Sequence, residues 1–354
     1  MTSRLAYALF IAFAVWAGVA GCSNTGTSVT PSPTPGASIS PAPDTLYVND
    51  ATSRTIRAYV NASKLSGSGV ATRVYSTSDI SRGDVVYDAA SDTLWYPQAQ
   101  QLPPTPPATF VERFGAASTI GVVPSPPAAP SSMTQLNNME GTATYDKNHN
   151  YLYVALTTSN AIQVFTNATA LTSGSTPAAQ VTVSFTDGSV PNPHPQEIYY
   201  DSVNDRLFVA DDAAVVAEFD NFGAGAGVTH TALANRQICG LFSPDGLAYN
   251  ATTDTLFIGE ETAKQVDVVQ HASTVSSTCL THTQTISGFS VGPLGLAYDT
   301  PRDILYVYDP TNIVVIGPGA SSDAGSVGSI ANVREFTDNV SSLDGFGLFV
   351  DTTH

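Results

Sequence analysis

A repeat of about fifty residues constrains this chain's fold more than any local feature, because a regular period of that length belongs to propellers and solenoids. Its clearest copy is Asp245-Gly-Leu-Ala-Tyr-Asn-Ala-Thr-Thr-Asp254-Thr-Leu-Phe-Ile-Gly259. A short apolar run ends in Tyr249, a polar turn follows, and a second apolar run begins at Leu256. Further copies start at Gly83, Gly141, Gln196 and Leu294. Asp44-Thr-Leu-Tyr-Val48 is a second half alone, and Asp344-Gly-Phe-Gly-Leu-Phe-Val-Asp351 a first half alone. The leucine of the second run falls at 46, 94, 152, 207, 256 and 305, at spacings of 48, 58, 55, 49 and 49.

The runs are short, rich in Val, Tyr, Phe and Leu, and bounded by Asn, Asp, Ser and Thr, which is strand and hairpin chemistry. No stretch of 44–354 sustains a 3.6-residue apolar period. Each unit continues with a third strand, as in Ile162-Gln-Val-Phe-Thr-Asn-Ala-Thr169, and a more exposed fourth, as in Ala179-Gln-Val-Thr-Val-Ser184. Four antiparallel strands per period make a propeller blade. Pairing Phe346–Val350 with Leu46–Val48 joins the two half copies in one blade and removes the open sheet edges. The fold class expected is therefore all-β: a six-bladed β-propeller of four-stranded antiparallel blades, its ring closed by the C-terminal strand in the N-terminal blade.

Residues 1–21 read as a signal peptide. Arg4 supplies the charge and Leu5–Val19 the apolar stretch, too short for a comfortable membrane span. Val19-Ala-Gly-Cys22 resembles the bacterial lipoprotein box, which implies acylation of Cys22 and membrane attachment through its lipid. Ser23 after the cysteine resembles the sorting signal of outer-membrane lipoproteins, facing the periplasm or the cell surface. Residues 22–43, built from Ser, Thr, Pro and Gly, form an extended tether to the propeller at 44–354.

The net charge of −17 excludes nucleic acid as a partner, since that requires a basic stripe. Pro97–Pro107 and Pro124–Pro130 are expected as loops, because proline cannot sit in a central ladder. The two remaining cysteines, Cys239 and Cys279, fall in neighbouring blades; either a disulfide or two independent thiols fit the spacing.

In a propeller the innermost strands start at the mouth of the central channel, which places Asp84, Glu140, Glu197, Asp245 and Asp344 there. Asp50, Asp211, Glu260 and Asp309 close the second strands on the same face. Two readings fit this acidic rim. Converging oxygens suit Ca²⁺; alternatively, the aspartates accept backbone N–H groups of their own turns. His194, in Pro191-Asn-Pro-His-Pro195, is the one histidine paired in sequence with an acid at the mouth, Glu197. The six histidines have no zinc-ligand spacing, and no nucleophile elbow or phosphate loop is present.

The pattern Asp-Gly-Leu-Ala-Tyr, then Leu-Tyr-Val, then a strand ending Asn-Ala-Ser resembles NHL-repeat and related YVTN-type propellers over residues 44–354. Gluconolactonase and senescence-marker-type hydrolases are more distantly similar, and they hold a divalent cation at the channel mouth. That likeness implies Ca²⁺ at Glu140, Glu197, Asp245 and Asp344. The leading expectation is a non-catalytic binding scaffold for a protein, peptide or saccharide at the top face, touching Asp84, Glu140, His194, Glu197, Asp245, Glu260 and Asp344. The alternative is a cation-dependent lactonase or ester hydrolase.

Overall fold

The computed structural model describes residues 42–78, 83–98, 109–120, 129–136, 142–185, 193–211, 213–274, 279, 281–310, 312–338 and 347–353. Cys22, Glu140 and Asp344 lie outside the described residues, as do the segment expected as a signal peptide and most of the one expected as a tether.

The strands form six small sheets whose innermost strands contact one another around a ring. Blade 1 runs outward as Leu348–Asp351, Thr45–Asp50, Thr55–Val60 and Arg73–Ser76. The C-terminal strand is its innermost member, with Leu46 opposite Val350 and Val48 opposite Leu348. Blade 2 comprises Val86–Asp88, Thr93–Gln98, Thr109–Gly115 and Ser132–Leu136. Blade 3 comprises Ala143–Asp146, Tyr151–Leu156, Ala161–Thr166 and Ala179–Ser184. Blade 4 comprises Pro195–Asp201, Arg206–Asp211, Val215–Asp220 and Arg236–Ile238. Blade 5 comprises Pro244–Asn250, Thr255–Glu260, Gln265–Gln270 and Gln284–Ser287. Blade 6 comprises Gly295–Asp299, Ile304–Asp309, Asn312–Ile316 and Val333–Asp338.

The apolar core is divided among the seams between blades. One cluster joins Phe208 and Val216 of blade 4 to Leu256 and Ile258 of blade 5. Another closes the ring, joining Leu46, Val48 and Leu348 of blade 1 to Tyr306 and Val315 of blade 6. Alternate residues of one strand therefore serve opposite seams, as the two-residue side-chain period of a strand requires.

Three seams carry an addition to the four-stranded plan. A segment between the third and fourth strands of one blade reaches back and pairs, in parallel, with the outer strand of the blade before it. His230–Leu233 joins blade 3, Gly325–Ser326 joins blade 5, and Gly67–Gly69 joins blade 6. At the blade 4–blade 5 seam the equivalent positions hold Cys239 and Cys279, with sulfurs at bonding distance and Cα atoms 5.4 Å apart. The first two seams use side chains: Tyr75 Oη donates to Ala117 O at 2.9 Å, and Ser132 Oγ to Leu171 O at 2.8 Å.

The recurring Tyr…Asp…Ser pattern has a local cause. In blades 2, 4 and 5 the tyrosine near the end of the inner strand donates to the residue five positions on: Tyr87 to Asp92 at 2.8 Å, Tyr200 to Asp205 at 2.9 Å, Tyr249 to Asp254 at 2.7 Å. Those aspartates have φ near +50, the left-handed region in which Asn and Asp are enriched. Their carboxylates then cap the turn after the third strand, receiving Ser118 N–H, Gly223 N–H and Ser273 N–H. Asn61 and Asn167 are the left-handed residues that start this turn.

Pro97 departs from the expected loop. It sits inside the second strand of blade 2, opposite Val111. The inner strand of that blade ends its pairing at Trp95, so the strand is an edge at Pro97 and a missing donor is tolerated.

Candidate functional site

The inner strands enclose a channel cavity of about 250 Å³. Asp84 and Glu197 line it at one end, and Asp88 and Lys147 at the other. The end where inner strands begin is the mouth.

Strand register shows which residues ring the mouth. In each blade the inner strand places a residue opposite the repeat leucine: Val350, Tyr87, Tyr145, Tyr200, Tyr249 and Tyr298. Three residues upstream stand Gly347, Asp84, Thr142, Glu197, Gly246 and Gly295, in blades 1 to 6. Blades 2, 3 and 4 thus present polar side chains, and blades 5, 6 and 1 present glycine. The glycines serve close approach. A Cβ on Gly347 would lie 2.5 Å from Gly83 O and 2.6 Å from Asp84 Cα, and one on Gly246 would lie 3.1 Å from Leu294 O.

On the polar half, Asp84, Thr142 and Glu197 are each 8% exposed. The Asp84 and Glu197 carboxyls meet in hydrogen-bond contact. Burial pushes the Asp84 carboxyl up to about 6, with Glu197 and the Ala143 N–H opposing the rise. Burial raises Glu197 well above the carboxylate range, and the charges of Asp84 and Asp245 add to it. Such a pair holds a proton near neutrality, since two touching carboxyls cannot both ionise cheaply. Asp84 Oδ2 and Thr142 Oγ1 are buried and have no protein partner.

The expected acidic ring therefore divides. Asp84 and Glu197 come together, while Asp245 stands one position upstream, in a bulge between Pro244 and Gly246. Ser243 Oγ donates to it at 3.0 Å. Burial, with Glu261 and Glu260 nearby, brings Asp245 to about 6. Among the described residues, no group of three or more His, Cys, Asp and Glu side chains is placed to hold a metal ion. Of the four residues implied for Ca²⁺, Glu197 and Asp245 are described.

The acids that close the second strands have a different task. Glu260 receives Phe242 N–H at 2.6 Å and Ser243 N–H at 3.0 Å. Asp309 receives Ser290, Val291 and Gly292 N–H at 2.7, 2.9 and 2.9 Å, and Ser290 Oγ at 2.7 Å. Burial alone would raise Asp309, but these donors outweigh it and hold the carboxyl below its ordinary value. Asp211 accepts His194 N–H at 2.5 Å and Ala213 N–H at 2.8 Å. These carboxylates are hooks. Each fixes the loop that leads into its own blade's inner strand, and those loops carry His194, Phe242 and Val291 onto the rim. Phe242 is 66% exposed and Val291 44%. Asp50 does accept Ser53 N–H of its own turn, and it also pairs with Arg57 at 3.1 Å.

Thr142, the glycine half of the ring, Phe242 and Val291 are absent from the sequence-based expectation. Counting three residues back from each inner-strand tyrosine reveals the ring; the rim residues carry no repeat signal.

The architecture and the channel define the molecule as a six-bladed β-propeller. No known family profile matches the chain, and no curated protein matches it. Among solved structures, it is similar to a chain in the crystal structure of a nidogen/laminin complex, with a TM-score of 0.57 and 11% identity. The likeness covers 88% of this chain and 99% of that one, and at this identity it concerns the fold alone.

Proposed function

We propose that this protein is a non-catalytic binding module that takes its ligand at the channel mouth, tethered outside the cytoplasm by a lipid on Cys22. The mouth supports this reading: buried polar atoms without protein partners, Asp84 Oδ2 and Thr142 Oγ1, stand on one half of a ring whose other half is glycine. Unsatisfied buried polar atoms are costly, by about 1–3 kcal/mol each, so a ligand that supplies donors gains where solvent is excluded. The hooked loops add a rim fixed by the fold, which limits the ordering cost of association.

The anchor and the mouth are tested separately. Cys22→Ser is expected to move the protein from the membrane fraction to the soluble fraction; retention in the membrane would refute the lipid anchor. Thermal unfolding with Ca²⁺ and with a chelator, alongside lactone turnover, tests the rival hydrolase. A midpoint unmoved by either addition, with no turnover, supports the binding module. Turnover that depends on Ca²⁺ and is lost in Glu197→Gln would replace it with the hydrolase.

A further inference from the structure

Resting on that reading, we infer that the ligand is a peptide segment that inserts one lysine or arginine side chain into the mouth against the Asp84–Glu197 pair and lays neighbouring apolar side chains on Phe242 and Val291. Three observations lead there. First, the polar half of the ring carries two touching carboxyls and the Thr142 hydroxyl. Among the described residues Asp84 Oδ2 is buried without a partner, while the Asp84 carboxyl as a whole contacts that of Glu197. An ammonium or guanidinium needs only such a pair, and a guanidinium fork matches carboxylate geometry. A hard metal ion needs several more converging oxygens, and the described side chains do not group in threes around one point.

Second, the polar and apolar features stand on different blades. The carboxyls come from blades 2 and 4, whereas Phe242 and Val291 are carried by the loops leading into blades 5 and 6. An occupant must therefore reach from the channel to the outer rim, which a side chain on a peptide backbone does and a lone cation does not.

Third, the chain's net charge of −17 draws basic segments toward it and steers their approach.

The test is a selection of randomised displayed heptapeptides on the full chain, immobilised, at physiological salt. It is repeated on the double variant Asp84→Asn/Glu197→Gln and on Phe242→Ala, each first shown to unfold cooperatively. Removing two facing carboxyls relieves repulsion, so the double variant is expected to fold. The expected result is a retained set sharing one Lys or Arg with apolar neighbours. An amide-labelled peptide from that set should bind at least about tenfold more weakly when its basic residue becomes citrulline or norleucine. The double variant should erase that difference, and Phe242→Ala should weaken binding without erasing it. Retained peptides with no basic residue in common, lost on Phe242→Ala, would overturn the inference and leave the binding module standing. Basic peptides held equally by the double variant would show general attraction to an acidic surface, and would overturn it also. No retained peptide at all would overturn the inference and leave the binding module with a ligand of another class.

Discussion

Tyr249 Oη donates to Asp254 Oδ1 at 2.7 Å, and the same carboxylate receives Ser273 N–H at 3.0 Å and Ser273 Oγ–H at 2.8 Å. One side chain thereby ties the first hairpin of blade 5 to the turn beyond its third strand. Asp254→Ala leaves a tyrosine hydroxyl and a turn amide without their acceptor, and is expected to destabilise the protein by roughly 2–3 kcal/mol. Asp88→Ala is the control, because Asp88 bonds only to its own exposed turn at Ser91 and Ala90. Its cost is expected within about 0.5 kcal/mol. Chemical denaturation of both variants checks the contrast; equal costs would contradict the tie.

The carboxyl pair at the mouth sets a pH dependence. A carboxyl whose folded pKa is raised binds its proton more tightly folded than unfolded. Its contribution is therefore present at low pH and lost as pH rises through the folded value. For Asp84 the window runs from 3.8 to about 6, and for Glu197 it extends higher. Glu218, Asp267 and Asp299 are also raised by burial, but they are common to wild type and variant. Asp84→Asn/Glu197→Gln is thus expected to melt close to wild type near pH 4 and above it by pH 8. A gap that does not grow with pH, measured by calorimetry in matched buffers, would count against a buried pair.

Cys239 and Cys279 close a loop with a sequence separation of 40 at the seam between blades 4 and 5, where the described residues form no parallel strand. In the chain-entropy account a bridge of that span contributes roughly 4 kcal/mol. Cys239→Ser/Cys279→Ser is expected to lower the midpoint, with a reductant producing the same shift in wild type and none in the variant. Mass spectrometry after alkylation without reductant checks the bond itself: two alkylated thiols would rule it out.

Removal of residues 347–354 is expected to abolish the folded state rather than trim it. The strand Leu348–Asp351 covers the inner edge of Thr45–Asp50, and Leu348 and Val350 pack in the seam with blade 6. The truncated chain would expose that edge and its apolar seam, a recipe for association between chains. Loss of soluble yield and of near-ultraviolet circular dichroism would show it; a monomer with native spectra would not fit a closed ring.

The architecture was legible because periodicity and half copies are properties of the chain itself. Leu46 and Val350 announce each other as the two parts of one hairpin. The reaching strands were not legible: Gly67-Ser-Gly69 and Gly325-Ser326 have neither apolar residues nor β-branching, and they pair through backbone alone. Of the acids at the mouth, Asp84 and Glu197 meet because both stand three residues before the tyrosine. Asp245 misses that position by one residue, and Gly246 occupies it. For the acids closing the second strands the sequence left a cation and backbone amides both open; Glu260 and Asp309 face the amides of the loop entering their own blade, where partly buried N–H groups need acceptors. Sequence position located the face of the molecule; register decided which side chains meet.

The strand Thr45–Asp50 has its Asp50 end at the mouth, where Asn49 N–H donates to Gly347 O at 3.1 Å, and its Thr45 end opposite. Tension applied through Pro43 therefore pulls on the far face, along the axis of a strand clamped on both sides by Leu348–Asp351 and Thr55–Val60. Ladder bonds lie across that axis, so they share the load in shear instead of parting one by one. A pull from that end is therefore borne on the face opposite the mouth.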